Sequence, residues 1–235
     1  MSQEAWNRLA LLYGHQYRPP RDAFYWGPGV TDEALGLLGD LKGRRVLDAG
    51  CGAGFNTVWL ARAGAEAYGV DFSEAQLAYA LRLAFTQGAR AEFVLARLEA
   101  LPYPDASFDL VVSTFALHYV PDLEAAFREA RRVLKPSGRY VFSLDHPARA
   151  IHDGLPYLEE GPLRWRWRAE GVEVPMISYH RTLETLTRTL RAVGLHLEGL
   201  YEPKPQGPDP FLKGPEAQAY LEGQVPYTLI MEARA

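Results

Sequence analysis

The chain has 235 residues, 48% of them hydrophobic, enough for one sizeable core and short of the length at which a second domain becomes the rule. Its formal net charge of -4 works against broad nucleic-acid binding, which draws on a basic face to displace counterions, and no run of about 18 apolar residues offers a membrane span. The lone Cys51 excludes an internal disulfide, and residues 1–12 lack the basic and apolar stretches of a secretion signal, so a cytoplasmic protein is expected.

The N-terminal segment is rich in aromatic residues, with Tyr13, His15, Tyr17, Tyr25 and Trp26, and reads as a lid. From residue 44 to 144 strands and helices alternate, the pattern of a parallel α/β sheet. Arg45 to Asp48 is the first strand, and the glycines after it open a helix from Phe55 to Ala63 stopped by Gly64. Ala67 to Asp71 is the second strand, and Ser73 caps a helix reaching about Gln87. Glu92 to Ala96 and Phe108 to Ser113 are the third and fourth strands, the latter apolar enough to be buried on both faces. Asp122 caps a helix that ends near Leu134, before the stop Lys135-Pro136-Ser137-Gly138, and Arg139 to Leu144 is the fifth strand. Beyond it come a hairpin from Leu163 to Ile177 turning at Glu170-Gly171, a helix from Thr182 to Ala192, a sixth strand from Leu195 to Tyr201, a Pro/Gly-rich loop over 203–215, and a last strand from Tyr227 to Ala233.

Chemistry concentrates in Asp48-Ala49-Gly50-Cys51-Gly52-Ala53-Gly54, between the first strand and its helix, where an open α/β sheet binds ligands. The spacing is G-x-G-x-G, so the third glycine arrives one residue early for a dinucleotide fingerprint, and Phe55 fills the later position. No Lys-Ser or Lys-Thr follows, which excludes a P-loop. Asp48 would repel a pyrophosphate; it suits a ligand carrying an ammonium and a sulfonium, such as S-adenosylmethionine. Asp71 ends the second strand, where an acid accepts hydrogen bonds from a ribose diol or simply caps the next helix.

Several blocks in the right order over residues 44–146 resemble the class I methyltransferases, in particular the small-molecule "type 11" group related to ubiquinone and menaquinone methyltransferases. They are Leu47 to Gly54, Gly69 to Ser73, Leu101 to Asp109, Ala116 to Asp122 and Arg131 to Gly138. The resemblance implies a doubly wound, Rossmann-like sheet of seven strands, mostly parallel with one antiparallel strand, and a lid inserted after the fifth. It divides a single domain into N-terminal lid helices (1–40), a cofactor-binding half (41–145), an inserted lid hairpin (146–180) and the remainder of the core (181–235). The implied cofactor is S-adenosylmethionine, with Asp48 and the loop of Gly50, Cys51, Gly52 and Gly54 at its methionine portion. Asp71 would take the ribose, Phe72 the adenine face and Leu98 the adenine edge. Ser113 or Thr114 would line the path near the methyl group. Arg97 stands where the family often has an acid; an arginine cannot accept from the adenine amino group, so it would stack on the ring or leave recognition to the backbone.

On the acceptor side, His118 after the fourth strand and His146 after the fifth are candidate bases, each with a structural role as the competing reading. No third ligand beside Asp145 and His146 argues for a metal. Arg164-Trp165-Arg166-Trp167-Arg168 alternates, giving one aromatic and one basic face. We read Trp165 and Trp167 as covering the pocket, with the arginines paired to Glu170 and Glu173. With Tyr17, Tyr25, Trp26, His180 and Arg181 they make up the expected substrate lid; His180 and Arg181 would reach an anionic acceptor or pin the lid. The expected activity is methyl transfer to a small molecule, without nucleic acid as partner. The competing functions are an RNA or protein methyltransferase of the same fold, and a catalytically idle ligand-binding domain.

Overall fold

The computed structural model describes residues 3–16, 22–169, 172–206, 209, 212 and 215–235. Helix α1 (Gln3–Gln16) leads, followed by a small hairpin of β1 (Tyr25–Gly27) and β2 (Val30–Thr31). Where several N-terminal helices were expected, the described residues thus hold one helix, a hairpin and a 3-10 turn over Asp32–Ala34. The alternating core then runs β3 (Arg45–Ala49), α2 (Phe55–Arg62), β4 (Glu66–Asp71), α3 (Glu74–Thr86), β5 (Ala91–Leu95), β6 (Phe108–Thr114), α4 (Leu123–Val133) and β7 (Leu134–Asp145). It continues through α5 (Arg149–His152), the hairpin β8 (Gly161–Ala169) and β9 (Val172–His180), α6 (Leu183–Ala192), β10 (His196–Tyr201), α7 (Pro215–Glu222) and β11 (Thr228–Arg234).

The main sheet has seven strands in the order β10-β11-β7-β6-β3-β4-β5. Neighbours from β7 to β5 pair in parallel, while β11 runs antiparallel to both β7 and β10. The chain therefore forms the mostly parallel doubly wound sheet, and the strand from Thr228 is its one reversed member. The winding direction changes at β3, between β4 and β6, and ligand crevices open at such a point.

Alternation along the strands feeds two layers. Leu47, Val111, Phe142 and Met231 face the helices α4 and α6, meeting Phe127, Val133, Leu186 and Leu190. Their neighbours Val46, Leu110, Val112, Val141 and Ile230 face the opposite side, against Phe24, Trp26, Leu38 and Leu60. Three helices begin at the residues whose chemistry marks a start: Ser73, Asp122 and Thr182 each accept from a backbone N–H in the first turn. Helix α4 passes directly into β7, because Leu134 already pairs with Phe108 while Arg139 pairs with Leu110, and the turn residues between them bulge out of the ladder.

A third, smaller cluster sits away from both layers. Ala5 and Leu9 of α1 pack on Val174 and Met176 of β9, with Trp6, Tyr119, Trp165 and Trp167 around them. Two segments distant in the chain are joined there into one roof.

Candidate active site

The glycine loop is tied down from below. The N–H groups of Gly50 and Cys51 both donate to the carbonyl of Val70, at 2.8 and 2.9 Å, which folds the loop over the end of β4. Gly50 has φ of 84°, and a Cβ there would collide with Ala116. Gly52 donates to Asp71 Oδ2 at 2.9 Å, and Ser73 donates to Asp71 Oδ1 at 2.9 Å. Asp71 thus braces the loop and the start of α3 together, while its carboxyl borders a cavity walled by Gly50, Cys51, Gly52, Phe72 and Leu98. Burial pushes that carboxyl up to about 6, against the pull of its backbone donors.

Two members of the loop region lie outside the cavity wall. Gly54 caps α2 with φ of 78°, and a Cβ there would come 2.6 Å from Ala80, so it serves the packing of α2 on α3. Asp48 lies under the loop, takes a 2.6 Å hydrogen bond from the Thr57 hydroxyl, and leaves Oδ1 buried without a partner. Burial lifts it to about 7.

At the far end of the cavity the Arg97 guanidinium stands 5.5 Å from the centre of the Phe72 ring. The arginine lies over the same ring expected to meet an adenine. On β6 Thr114 reaches the cavity, its hydroxyl accepting from Asn56 Nδ2 at 3.1 Å. Ser113 points to the other face of the strand and is buried with its hydroxyl unpartnered, so of the two candidates Thr114 is the one that meets the cavity.

A second cavity, of about 550 Å³, adjoins the first beneath the roof. His118, His146, Trp165, Trp167, His180 and Arg181 all border it. The two candidate bases differ in availability. His146 accepts from the N–H of Ala148 through Nδ1 at 3.0 Å and meets Glu202 through Nε2 at 2.7 Å. Both ring nitrogens of His146 are thus engaged within the protein. His118 has Nε2 3.9 Å from Asp145 Oδ2 and an unpartnered Nδ1, and burial depresses its pKa so that it stays neutral. Asp145 is in turn paired with Arg149, whose guanidinium lies 4.2 Å from the centre of the Tyr227 ring.

The lid residues also separate. Trp26 is fully buried in the layer beneath the sheet, where its indole N–H donates to Asp32 at 2.9 Å. It is a core residue and not part of a lid. Tyr25, its neighbour, borders both cavities. Tyr17 and the side chains of Tyr13 and His15 lie outside the described residues. His180 bonds the carbonyl of Tyr157 at 2.7 Å, and Arg181 donates to the carbonyls of Leu117, Val120 and Pro121. Arg181 thus pins the hairpin base to the segment after β6, and His180 pins it to the segment between α5 and β8. Arg166 and Arg168 both face Glu173, at 2.7 and 3.5 Å, while Glu170 is outside the described residues.

Sequence reasoning passed over Trp6, Asn56, Gln76, Phe115 and Tyr119, all of which line the first cavity. Phe115 immediately precedes, and Tyr119 lies within, the matched block Ala116 to Asp122, which is the one signal that pointed at them. Asn56 gave none: its role is to clip the backbone of Tyr25, accepting from its N–H at 3.0 Å and donating to its carbonyl at 2.9 Å.

Comparison with known proteins agrees with this geometry. A family model described as a methyltransferase domain matches residues 47–142. A solved S-adenosylmethionine-dependent methyltransferase from Mesorhizobium loti is 30% identical, covers 85% of this chain and 94% of its own, and superposes with a TM-score of 0.67. A 27-O-demethylrifamycin SV methyltransferase of Amycolatopsis mediterranei is 40% identical over 113 residues, or 47% of this chain. A demethylmenaquinone methyltransferase of Tropheryma whipplei is 37% identical over 121 residues, or 50% of this chain. The alignments span about half the length of these two curated relatives, 42% and 49%.

Proposed function

The chain belongs to the S-adenosylmethionine-dependent methyltransferases, and from that premise we propose that it methylates a small molecule held in the second cavity. One observation carries the choice of acceptor: that cavity is bordered by Tyr119, Trp165 and Trp167 of the apolar cluster, and its volume of about 550 Å³ is of small-molecule size. The named relatives act, by their descriptions, on a rifamycin and on demethylmenaquinone. The basic face of β8 adds little for a polyanion, since Arg166 and Arg168 are matched to Glu173.

The residues at the first cavity fit the cofactor. Asp71 offers two carboxylate oxygens to a ribose diol, and Phe72 with Arg97 offers flat faces to a purine. The backbone of Gly52 leaves the room that a side chain would fill, and the buried carboxylate of Asp48 beneath adds negative potential for a cationic ligand. When bound, S-adenosylmethionine supplies a methyl group on a positively charged sulfur, open to in-line displacement. The protein's main task is then alignment, which supplies about 7–11 kcal/mol in well-oriented reactions. In this reading His118, neutral at pH 7, takes the proton from an acceptor hydroxyl or amine, with Asp145 facing the imidazole.

Two measurements test this. Calorimetry with S-adenosylhomocysteine is expected to give binding that Asp71→Asn weakens at least about tenfold, the worth of a hydrogen bond to a charged group; unchanged affinity counts against the ribose assignment. Methyl-labelled S-adenosylmethionine, incubated with the protein and a cell extract, is expected to label the small-molecule fraction, and His118→Ala to abolish that labelling. Label recovered in protein or RNA refutes the acceptor class.

A further inference from the structure

Among the described residues, three side chains border both cavities: Tyr25, Phe115 and Tyr119. All three are aromatic, and each comes from a different element. Tyr25 begins β1, Phe115 follows β6 directly, and Tyr119 closes the 3-10 turn Leu117–Tyr119.

Each is held in place by its own set of neighbours, and the Phe115 ring also stacks on Tyr227, with centroids 6.2 Å apart. Tyr25 is clipped through its backbone to the Asn56 amide, and its hydroxyl donates to Asp209 at 3.1 Å. Tyr119 stands between the Trp6 ring, with centroids 5.2 Å apart, and the His118 imidazole at 4.0 Å. Phe115 is the most constrained. It is a non-glycine residue in the left-handed region, at φ of 51°, where a side chain is disfavoured. Its N–H is fixed to the carbonyl of Ser143 at 2.9 Å, and Gly27 of β1 lies so close that any Cβ there would strike the ring. Strain of this kind is kept where the surroundings over-determine it, and such places cluster at ligand clamps.

The three rings stand on the border that the two cavities share. Resting on the methyltransferase reading, we propose that Tyr25, Phe115 and Tyr119 form a collar for the sulfonium, so that the site discriminates between charged cofactor and neutral product. An aromatic face carries partial negative charge and attracts a cation held over it. On transfer the acceptor's lone pair would form the new bond to the methyl carbon while the carbon–sulfur bond breaks, its electron pair staying on sulfur and leaving a neutral thioether. The collar then loses its attraction at the step after which product must leave.

The test compares two known ligands, S-adenosylmethionine and S-adenosylhomocysteine, by calorimetry on the full chain. Phe115→Leu and Tyr119→Leu are each expected to weaken the sulfonium about three- to thirtyfold relative to the thioether. Affinity for S-adenosylhomocysteine should stay within about twofold. Tyr119→Phe keeps the ring and is expected to keep the wild-type ratio. An unchanged ratio in both leucine variants, or equal weakening of both ligands, overturns the collar. Should Phe115→Leu fail to fold, the two Tyr119 variants decide alone. Failure of wild-type protein to bind either ligand refutes the underlying cofactor reading and is distinct from all of these.

Discussion

Asp48 and Asp71 are both buried acids whose protonated forms persist well above the usual carboxylate range, at about 7 and about 6. The folded, unliganded protein therefore holds protons that the unfolded chain has released. Their contribution to stability is full below about pH 4 and is lost as pH rises through 6 and 7. His118 and His146 act the other way: burial keeps them neutral, so their contribution grows as pH rises toward the ordinary histidine range. A substitution isolates one contribution from the other. Asp48→Asn is expected to raise the thermal midpoint relative to wild type at pH 7.5 and to change it little at pH 4; equal effects at both would show that the carboxylate is not strained. At this scale Asp71 was legible because a strand-end acid after a glycine loop has a fixed place in the fold. Ser113 and Thr114 were not separable, since strand residues alternate and a one-residue shift in register exchanges their faces. The engagement of His146 was hidden because its partner Glu202 lies far along the chain.

Elements announced themselves where their ends carry local chemistry. The caps Ser73 and Asp122 stand where the residue pattern put them, because a cap acts over three residues, and Thr182, read as the first residue of its helix, is the cap itself. Asp122 is exposed and makes its bond to Ala125 N at 2.9 Å, so Asp122→Ala is expected to lower stability by about 1 kcal/mol in urea denaturation. The elements that escaped are short or tertiary in origin. Helix α5 has four residues, α7 begins at Pro215 inside a stretch read as loop, and β1–β2 forms against its own turn. Arg181 is the tertiary counterpart of a cap, donating to the carbonyls of Val120 and Pro121 and sharing that of Leu117 with the Val120 N–H. Arg181→Ala is expected to cost about 2 kcal/mol and to speed amide exchange over 117–120, the cost of orphaning carbonyls held by a charged donor.

The whole molecule shows a division between what repeats and what closes it. The sheet from Arg45 to Asp145 was readable throughout, because buried parallel strands and amphipathic helices alternate with a fixed logic. The cover was read as a lid but not as one object, since nothing in the order of residues says that Leu9 meets Val174. Removing residues 1–16 is expected to leave the sheet folded while Val174 and Met176 become exposed, raising hydrophobic-dye binding and proton exchange in β8 and β9; a truncated chain with unaltered exchange there would mean the two segments are independent. Their union has a kinetic meaning. Trp6 overhangs one chamber and Trp165 and Trp167 the other, all set in the same apolar patch. The two chambers thus share one apolar cover, so a displacement of that patch alters access to both at once.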